Sequence, residues 1–177
     1  MIKGELITRS TVWISILAYT LGTMLFAVRR SRINLDAFVR VVWSIAVLAL
    51  TAHFATAFHF YHDWNQASAY RETARQTAEV FGLNWGGGLF INYSVLVLWI
   101  IDVGWWWLGG INSYRQRSLG LLLVWHGFLI FIIFNATVVF KGGVQRWLGL
   151  AICLILCLCW WIIAKQKNTA LGAVARL

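Results

Sequence analysis

Residues 119–140 have the sequence LGLLLVWHGFLIFIIFNATVVF, and this stretch decides the fold. It runs for 22 residues without a Lys, Arg, Asp or Glu. Because a helix rises about 1.5 Å per residue, a run of this length covers the roughly 30 Å hydrocarbon core of a bilayer. Its apolar residues are continuous and do not alternate with polar ones, which argues against a strand of a transmembrane barrel. The stretch predicts a transmembrane helix.

The whole chain has the same character. Of its 177 residues, 60% are hydrophobic and 12% are charged, whereas soluble domains average about 45–50% apolar and about 25% charged residues. A chain so poor in charge cannot cover a water-facing surface, so we expect the lipid bilayer to solvate it. Twelve tryptophans suit anchoring at the two membrane interfaces. Five apolar runs predict transmembrane helices, at approximately residues 11–28, 38–60, 90–108, 119–140 and 147–164.

The predicted fold is an all-α integral membrane protein, a bundle of about five transmembrane helices in a single domain over residues 1–177. Its one long connection, residues 61–89, is predicted to be extracytoplasmic and to contain a short amphipathic helix at 67–81. Within it, Arg75 and Glu79 are four residues apart and can pair, Asn65 or Ser68 can cap the start, and Gly82 can stop the helix. Small residues in the second span, such as Ala52 and Ala55, predict that this span lies at the centre of the bundle.

Basic residues predict the orientation in a bacterial-type inner membrane. With the N-terminus outside and the C-terminus cytoplasmic, nine Lys and Arg residues lie on the cytoplasmic side and six lie outside. The cytoplasmic nine are Arg29, Arg30, Arg32, Arg40, Arg115, Arg117, Lys165, Lys167 and Arg176. The net charge of +9 does not predict nucleic acid as a partner, because the basic residues are scattered between apolar runs.

The densest polar cluster in the sequence is His53, His59, His62 and Asp63, at the predicted outer end of the second span. On a continuous helix His59 and Asp63 are four apart and share a face with His62. Imidazole and carboxylate near water can bind a transition metal or ligate haem. The alternative is an interfacial hydrogen-bond network without a cofactor.

A second candidate is the intramembrane pair Asp102 and His126. Counting 1.5 Å per residue from the loop that joins the third and fourth spans places both at about 10–12 Å depth. Ionisable groups inside a membrane usually face a partner or a cavity. We therefore expect a contact that either holds two helices together or shares a proton.

Polar residues near the outer ends of the third and fourth spans, Asn92, Tyr93 and Asn135, are predicted to line an outward-facing pocket under the long loop. Cys153 and Cys157 are interpreted as small apolar side chains. The sequence contains no recognisable catalytic set, so the leading hypothesis is a non-enzymatic membrane subunit that binds other membrane subunits. The alternatives are a metal- or haem-binding redox protein and a small hydrolase or transporter that uses the outer pocket.

Overall fold

The computed structural model describes residues 2–28 and 33–174, and these residues are almost entirely helical. Arg29, Arg30, Arg32 and Arg176, which contribute to the predicted orientation, lie outside the described residues. Within the described ranges there are six α-helices, one π-helical turn and no strand. Their bounds are α1 Ile2–Val28, α2 Ile33–Tyr61, α3 Gln66–Phe81, α4 Gly88–Gln116, α5 Leu119–Phe134, the π-helical turn Asn135–Val139 and α6 Gly143–Val174.

Five of these helices are long and apolar enough to cross a membrane, as predicted. The spans are Lys3–Val28, Leu35–Tyr61, Gly88–Gly110, Leu119–Val139 and Gly143–Thr169. The first span begins earlier than its apolar run because the helix continues through polar residues whose side chains pair locally. At the start of α1, Arg9 and Glu5 are four residues apart and form an ion pair of 2.7 Å.

The amphipathic helix predicted in the long loop is α3, and both of its caps are confirmed. The Asn65 side chain accepts a hydrogen bond from the Ser68 amide at 3.0 Å. Gly82 adopts the left-handed conformation (φ 69°) and donates its amide to the Ala78 carbonyl. Arg75 pairs with Glu79 as expected, and also with Glu72 at 2.6 Å.

Two departures from regular α-helix were not predicted. In α4, Gly110 has φ 71° and ψ 176°, which kinks the chain at the end of the third span. After Phe134 the fourth span continues as a π-helical turn. There Asn135 and Thr137 donate side-chain hydrogen bonds to the carbonyls of Phe131 and Ile133 (2.8 and 2.7 Å), which loosens the regular ladder.

The chain divides into two compact units. The first contains residues 2–19 and 43–104, and the second contains residues 20–28, 33–42 and 105–174 of the described chain. In the first unit Tyr19 packs edge-on against Trp43 and Trp99, and all three are buried. The core of the second unit includes Trp106, Tyr114, His126, Leu129 and Leu156.

The second span is less buried than its small residues predict. Only 22% of its most apolar stretch is buried, the smallest share among the five spans of the described chain, against 39% in the first and fifth. All residues from 48 to 68 are described, and none of them is buried. Small residues permit close packing, but the described part of the chain leaves Ala55 exposed and Ala52 only half-buried.

Candidate functional site

The predicted histidine cluster lies in the first unit, but the structure separates its members. His53 is half-buried in α2, and its Nδ1 lies 2.9 Å from the Thr8 carbonyl oxygen of α1. Because a carbonyl oxygen only accepts, Nδ1 must carry the proton, and the neutral ring then has its lone pair on Nε2. His53 thus joins two helices of the first unit.

His59 and Asp63 do not share a helical face. α2 ends at Tyr61, and Asp63 and Trp64 both have positive φ values, 47° and 58°. The Phe58 carbonyl accepts the amides of both His62 (3.2 Å) and Trp64 (3.1 Å), which ends the helix. The four-residue spacing of His59 and Asp63 therefore does not place them on one helical face. His59 and Asp63 are exposed, and His62 is half-buried.

Metal ligation was the specific prediction for these residues. Among residues 2–28 and 33–174, no three His, Cys, Asp or Glu side chains come together as ligands for one ion. Metal or haem binding by His53, His59, His62 and Asp63 stays a prediction.

The α2–α3 turn (residues 62–65) instead brings His62 against α3. His62 Nδ1 lies 3.5 Å from the Ser68 hydroxyl oxygen. Glu72 follows Ser68 by one helical turn, and hydrogen bonding from Arg75 lowers its pKa, with a smaller contribution from the charge of His62. The sequence pattern predicts Ser68 only as a cap and does not indicate this juxtaposition. Nothing in the sequence shows that residues 62–65 fold back onto α3.

Tyr93 of the predicted outer pocket is fixed by a hydrogen bond. Its hydroxyl donates to Gln66 Oε1 at 2.7 Å. Its ring packs against Phe54, Phe58 and Phe90, at centroid distances of 5.9–6.3 Å. This connects α4 to the first residue of α3 and to the end of α2. Asn92 is exposed in the same unit.

The third residue of that predicted pocket, Asn135, belongs to the second unit. There its side-chain amide is bound to the Phe131 carbonyl of its own helix. The pocket of Asn92, Tyr93 and Asn135 stays a prediction.

The glycines at 86–88 serve close packing. Gly86 and Gly87 are buried. A Cβ on Gly86 would clash with the carbonyl oxygen and ring of Tyr70 in α3, and one on Gly87 would overlap the Trp85 ring. Only glycine lets this turn lie so close to α3.

Asp102 and His126 are both buried, with 4% and 0% of their surface exposed. The His126 ring stacks on Trp160 of α6, with centroids 3.7 Å apart and an interplanar angle of 17°. Asp102 belongs to the first unit and His126 to the second. Their predicted contact stays a prediction, whereas the stacking of His126 on Trp160 was not foreseen.

The second unit also contains an aromatic–cation cluster (Trp105, Trp106, Tyr114, Arg117 and Lys167). The buried Arg117 guanidinium lies 4.1 Å from the ring centroids of both Trp105 and Tyr114. Tyr114 stacks on Trp106 at 4.2 Å, and the Lys167 ammonium donates to the Arg117 carbonyl. The kink at Gly110 makes this possible, because it carries the chain back past the tryptophans. The tryptophan run and the two glycines after it were the available sequence signal.

Comparison with protein-family models, curated proteins and solved structures finds no match to this chain.

Proposed function

We propose that the chain is a multi-pass inner-membrane protein, with its N-terminus outside and its C-terminus cytoplasmic, and that it acts as a non-enzymatic subunit by binding a transmembrane helix of a partner. The observation that carries this proposal is the second half of α2, residues 48–61, one face of which the described chain leaves exposed. None of these residues is buried, although they include histidines, threonines and small residues.

The membrane part of the proposal rests on the surfaces of the long helices. A large apolar side chain gains about 1.5–3 kcal/mol on leaving water, and such side chains are exposed on all five helices. Examples, one from each helix in chain order, are Leu17, Leu48, Val97, Val124 and Leu154. Contact of these surfaces with acyl chains costs no hydrophobic free energy, whereas their contact with water does.

The partner part of the proposal rests on one face of α2. Thr51, Ala55 and His59 follow one another at four-residue spacing, so they lie on the same side of the helix, and all three are exposed. Small residues allow a second helix to approach closely, and threonine or histidine can hydrogen-bond across such a contact. Polar residues in a span usually face protein or water and not acyl chains. A partner helix along this face satisfies both requirements.

Site-specific photo-cross-linking in native membranes tests the partner. A photoreactive side chain at Thr51 should give a discrete protein adduct, and the same label at Leu154, an exposed apolar site on α6, should label lipid only. Adding Ala55→Leu, which fills the small site, should abolish the adduct at position 51. An adduct that forms with the purified chain alone identifies a second copy as the partner. No discrete adduct at position 51, or equal adducts at both positions, would contradict the proposal.

A second candidate function follows from the contact between Ser68 and His62. In an acyl-transfer reaction the Ser68 oxygen would attack an ester carbonyl while His62 Nδ1 takes the hydroxyl proton. That proton would pass to the departing alcohol as the ester C–O bond breaks, and water would then hydrolyse the acyl-serine. The 3.5 Å separation is long for such a pair, although catalytic hydrogen bonds often shorten only with substrate bound. This candidate therefore ranks below the subunit.

A fluorophosphonate that labels activated serines separates the two candidates. Covalent labelling that is lost in Ser68→Ala and in His62→Gln, and kept in Ser94→Ala, would establish the hydrolase. Ser94 is a suitable control because it is an exposed serine in the same unit whose hydroxyl only donates to its own helix. No labelling of Ser68 in the folded protein would exclude it as an activated nucleophile.

A further inference from the structure

Positive charge is concentrated in the second unit. In the described ranges that unit has seven Lys and Arg residues and one acidic residue, Asp36, whereas the first unit has four basic and five acidic residues. Asp36 is buried. The charge imbalance of the second unit therefore exceeds what its own carboxylate can neutralise.

Three of these cations lie over aromatic rings. Arg40 lies 3.9 Å from the Trp107 ring centroid and Lys165 lies 5.4 Å from that of Trp161. Arg117 lies over Trp105 and Tyr114. Tryptophan rings favour the headgroup level of a bilayer, and a cation over such a ring is held at that level. This arrangement is expected where basic side chains contact lipid phosphates.

Lys167 contacts the backbone of Arg117. Its ammonium donates to the Arg117 carbonyl, and the neighbouring Gln166 side chain donates to the Ala27 carbonyl of α1 at 3.1 Å. These bonds position the last turns of α6 within the unit. Lys165 is exposed and Lys167 is half-buried, so both side chains reach the surface of the unit.

We propose that Lys165 and Lys167, the latter positioned by the Arg117 carbonyl, each bind the phosphate headgroup of an anionic phospholipid at the end of the fifth span. This inference rests on the proposed membrane insertion and adds to it a preference for one class of lipid. Phosphate is the ligand expected here, because ammonium groups hydrogen-bond to its oxygens and basic residues next to a membrane span favour anionic headgroups. A bilayer supplies that phosphate at the depth where the tryptophans lie.

Electron spin resonance of the full chain in phosphatidylcholine vesicles tests this proposal. Trace spin-labelled phosphatidylglycerol is compared with spin-labelled phosphatidylcholine, and the motionally restricted fraction gives their relative association with the protein. We expect the wild type to select phosphatidylglycerol at low ionic strength and to lose the selectivity as salt screens the charges. Lys165→Gln with Lys167→Gln should lower the selectivity, by up to about fivefold for each charge removed.

The matched control is Lys3→Gln with Lys141→Gln, which removes the same net charge at two exposed lysines elsewhere. It should keep the selectivity of the wild type. An equal loss in both double variants would show a general charge effect and overturn the site, and so would a wild type without selectivity. Inorganic phosphate at matched ionic strength should not displace the spin-labelled lipid. Displacement by inorganic phosphate would instead identify a free anion as the ligand.

Flotation of the reconstituted vesicles after an alkaline carbonate wash is the independent test of insertion. A chain that fails to float overturns the membrane proposal itself. A chain that floats without lipid selectivity overturns only the lipid site.

Discussion

The histidine-rich end of α2 and the aromatic–cation cluster both combine ionisable side chains with aromatic rings, but in opposite surroundings. At the end of α2, His59 and Asp63 are exposed and the backbone is strained at two consecutive residues. In the aromatic–cation cluster Arg117 is buried and both of its ring partners are in van der Waals contact with it. The polar residues at the end of α2, which are close together in the sequence, thus lie at a surface. Arg117, by contrast, is buried among aromatic rings that lie further away in the sequence. The first arrangement suits recognition of a partner, and the second supports the fold.

Truncation of a core aromatic should show the largest difference between these regions. Trp106→Ala removes a 1% exposed ring that stacks on Tyr114, and we expect a loss of about 3–5 kcal/mol in unfolding free energy. Phe58→Ala, which removes a half-buried ring beside His62, should cost about 1–2 kcal/mol. Unfolding in mixed micelles measures both. Equal losses would mean that the end of α2 is as well packed as the second unit.

The next effect concerns the kink that forms the aromatic–cation cluster. Gly110→Ala places a Cβ on a backbone with φ 71°, and we expect a cost of about 1–3 kcal/mol together with weaker burial of Tyr114. The control is Gly104→Ala in the same helix, where a Cβ meets no atom within 4 Å. That change should be neutral or should stabilise the protein by up to about 1 kcal/mol through helix propensity. A harmless Gly110→Ala would show that the kink is not required.

A smaller effect distinguishes two histidines of the predicted cofactor cluster. His53→Phe removes the hydrogen bond to the Thr8 carbonyl and should cost about 0.6–1.7 kcal/mol. His59→Phe alters an exposed side chain and should leave the stability of the lone chain unchanged, while weakening the cross-link at α2. Metal analysis and an absorption spectrum of both proteins test the cofactor hypothesis directly. A stoichiometric metal or haem that both variants lose would favour the redox alternative over the subunit.

The smallest expected effect is the pH dependence from Glu72. The pKa of Glu72 is lowered in the folded protein, chiefly by hydrogen bonding from Arg75. Ionised Glu72 therefore stabilises the fold, and this stabilisation is fully present at pH values above the ordinary pKa of 4.5. That stabilisation is lost as the pH falls through the lowered folded-state pKa. The difference in Tm between wild type and Glu72→Gln should therefore be small at neutral pH and vanish in acid. A difference that grows in acid would contradict the assigned pKa direction.

The elements predicted correctly from the sequence are those that depend on local pattern. Apolar runs located the five long helices, and Asn65 and Gly82 located both ends of α3. The sequence failed where one residue's conformation redirects the chain. Positive φ at Asp63 and Trp64 turns His62 onto Ser68, and the kink at Gly110 carries Arg117 to Trp105. The small residues in α2 predict a position at the centre of the bundle because they permit close packing. Composition does not show which neighbouring helix packs against them.

The π-helical turn at Asn135–Val139 has a consequence for how this chain tolerates change in length. Such a turn accommodates one extra residue within a helix, and one residue corresponds to a rotation of about 100° around the axis. Here it aligns Thr137 with Gly149 of α6, which is so close that a Cβ there would clash, and it lets Arg146 bind the Val138 carbonyl at 3.0 Å. Because the turn absorbs that extra residue, deleting one residue between 135 and 139 should restore a regular α-helix while the residues on either side of the deletion keep their azimuth. The irregular turn is thus a position where the fourth span can change its length by one residue without changing how its helical part meets the fifth.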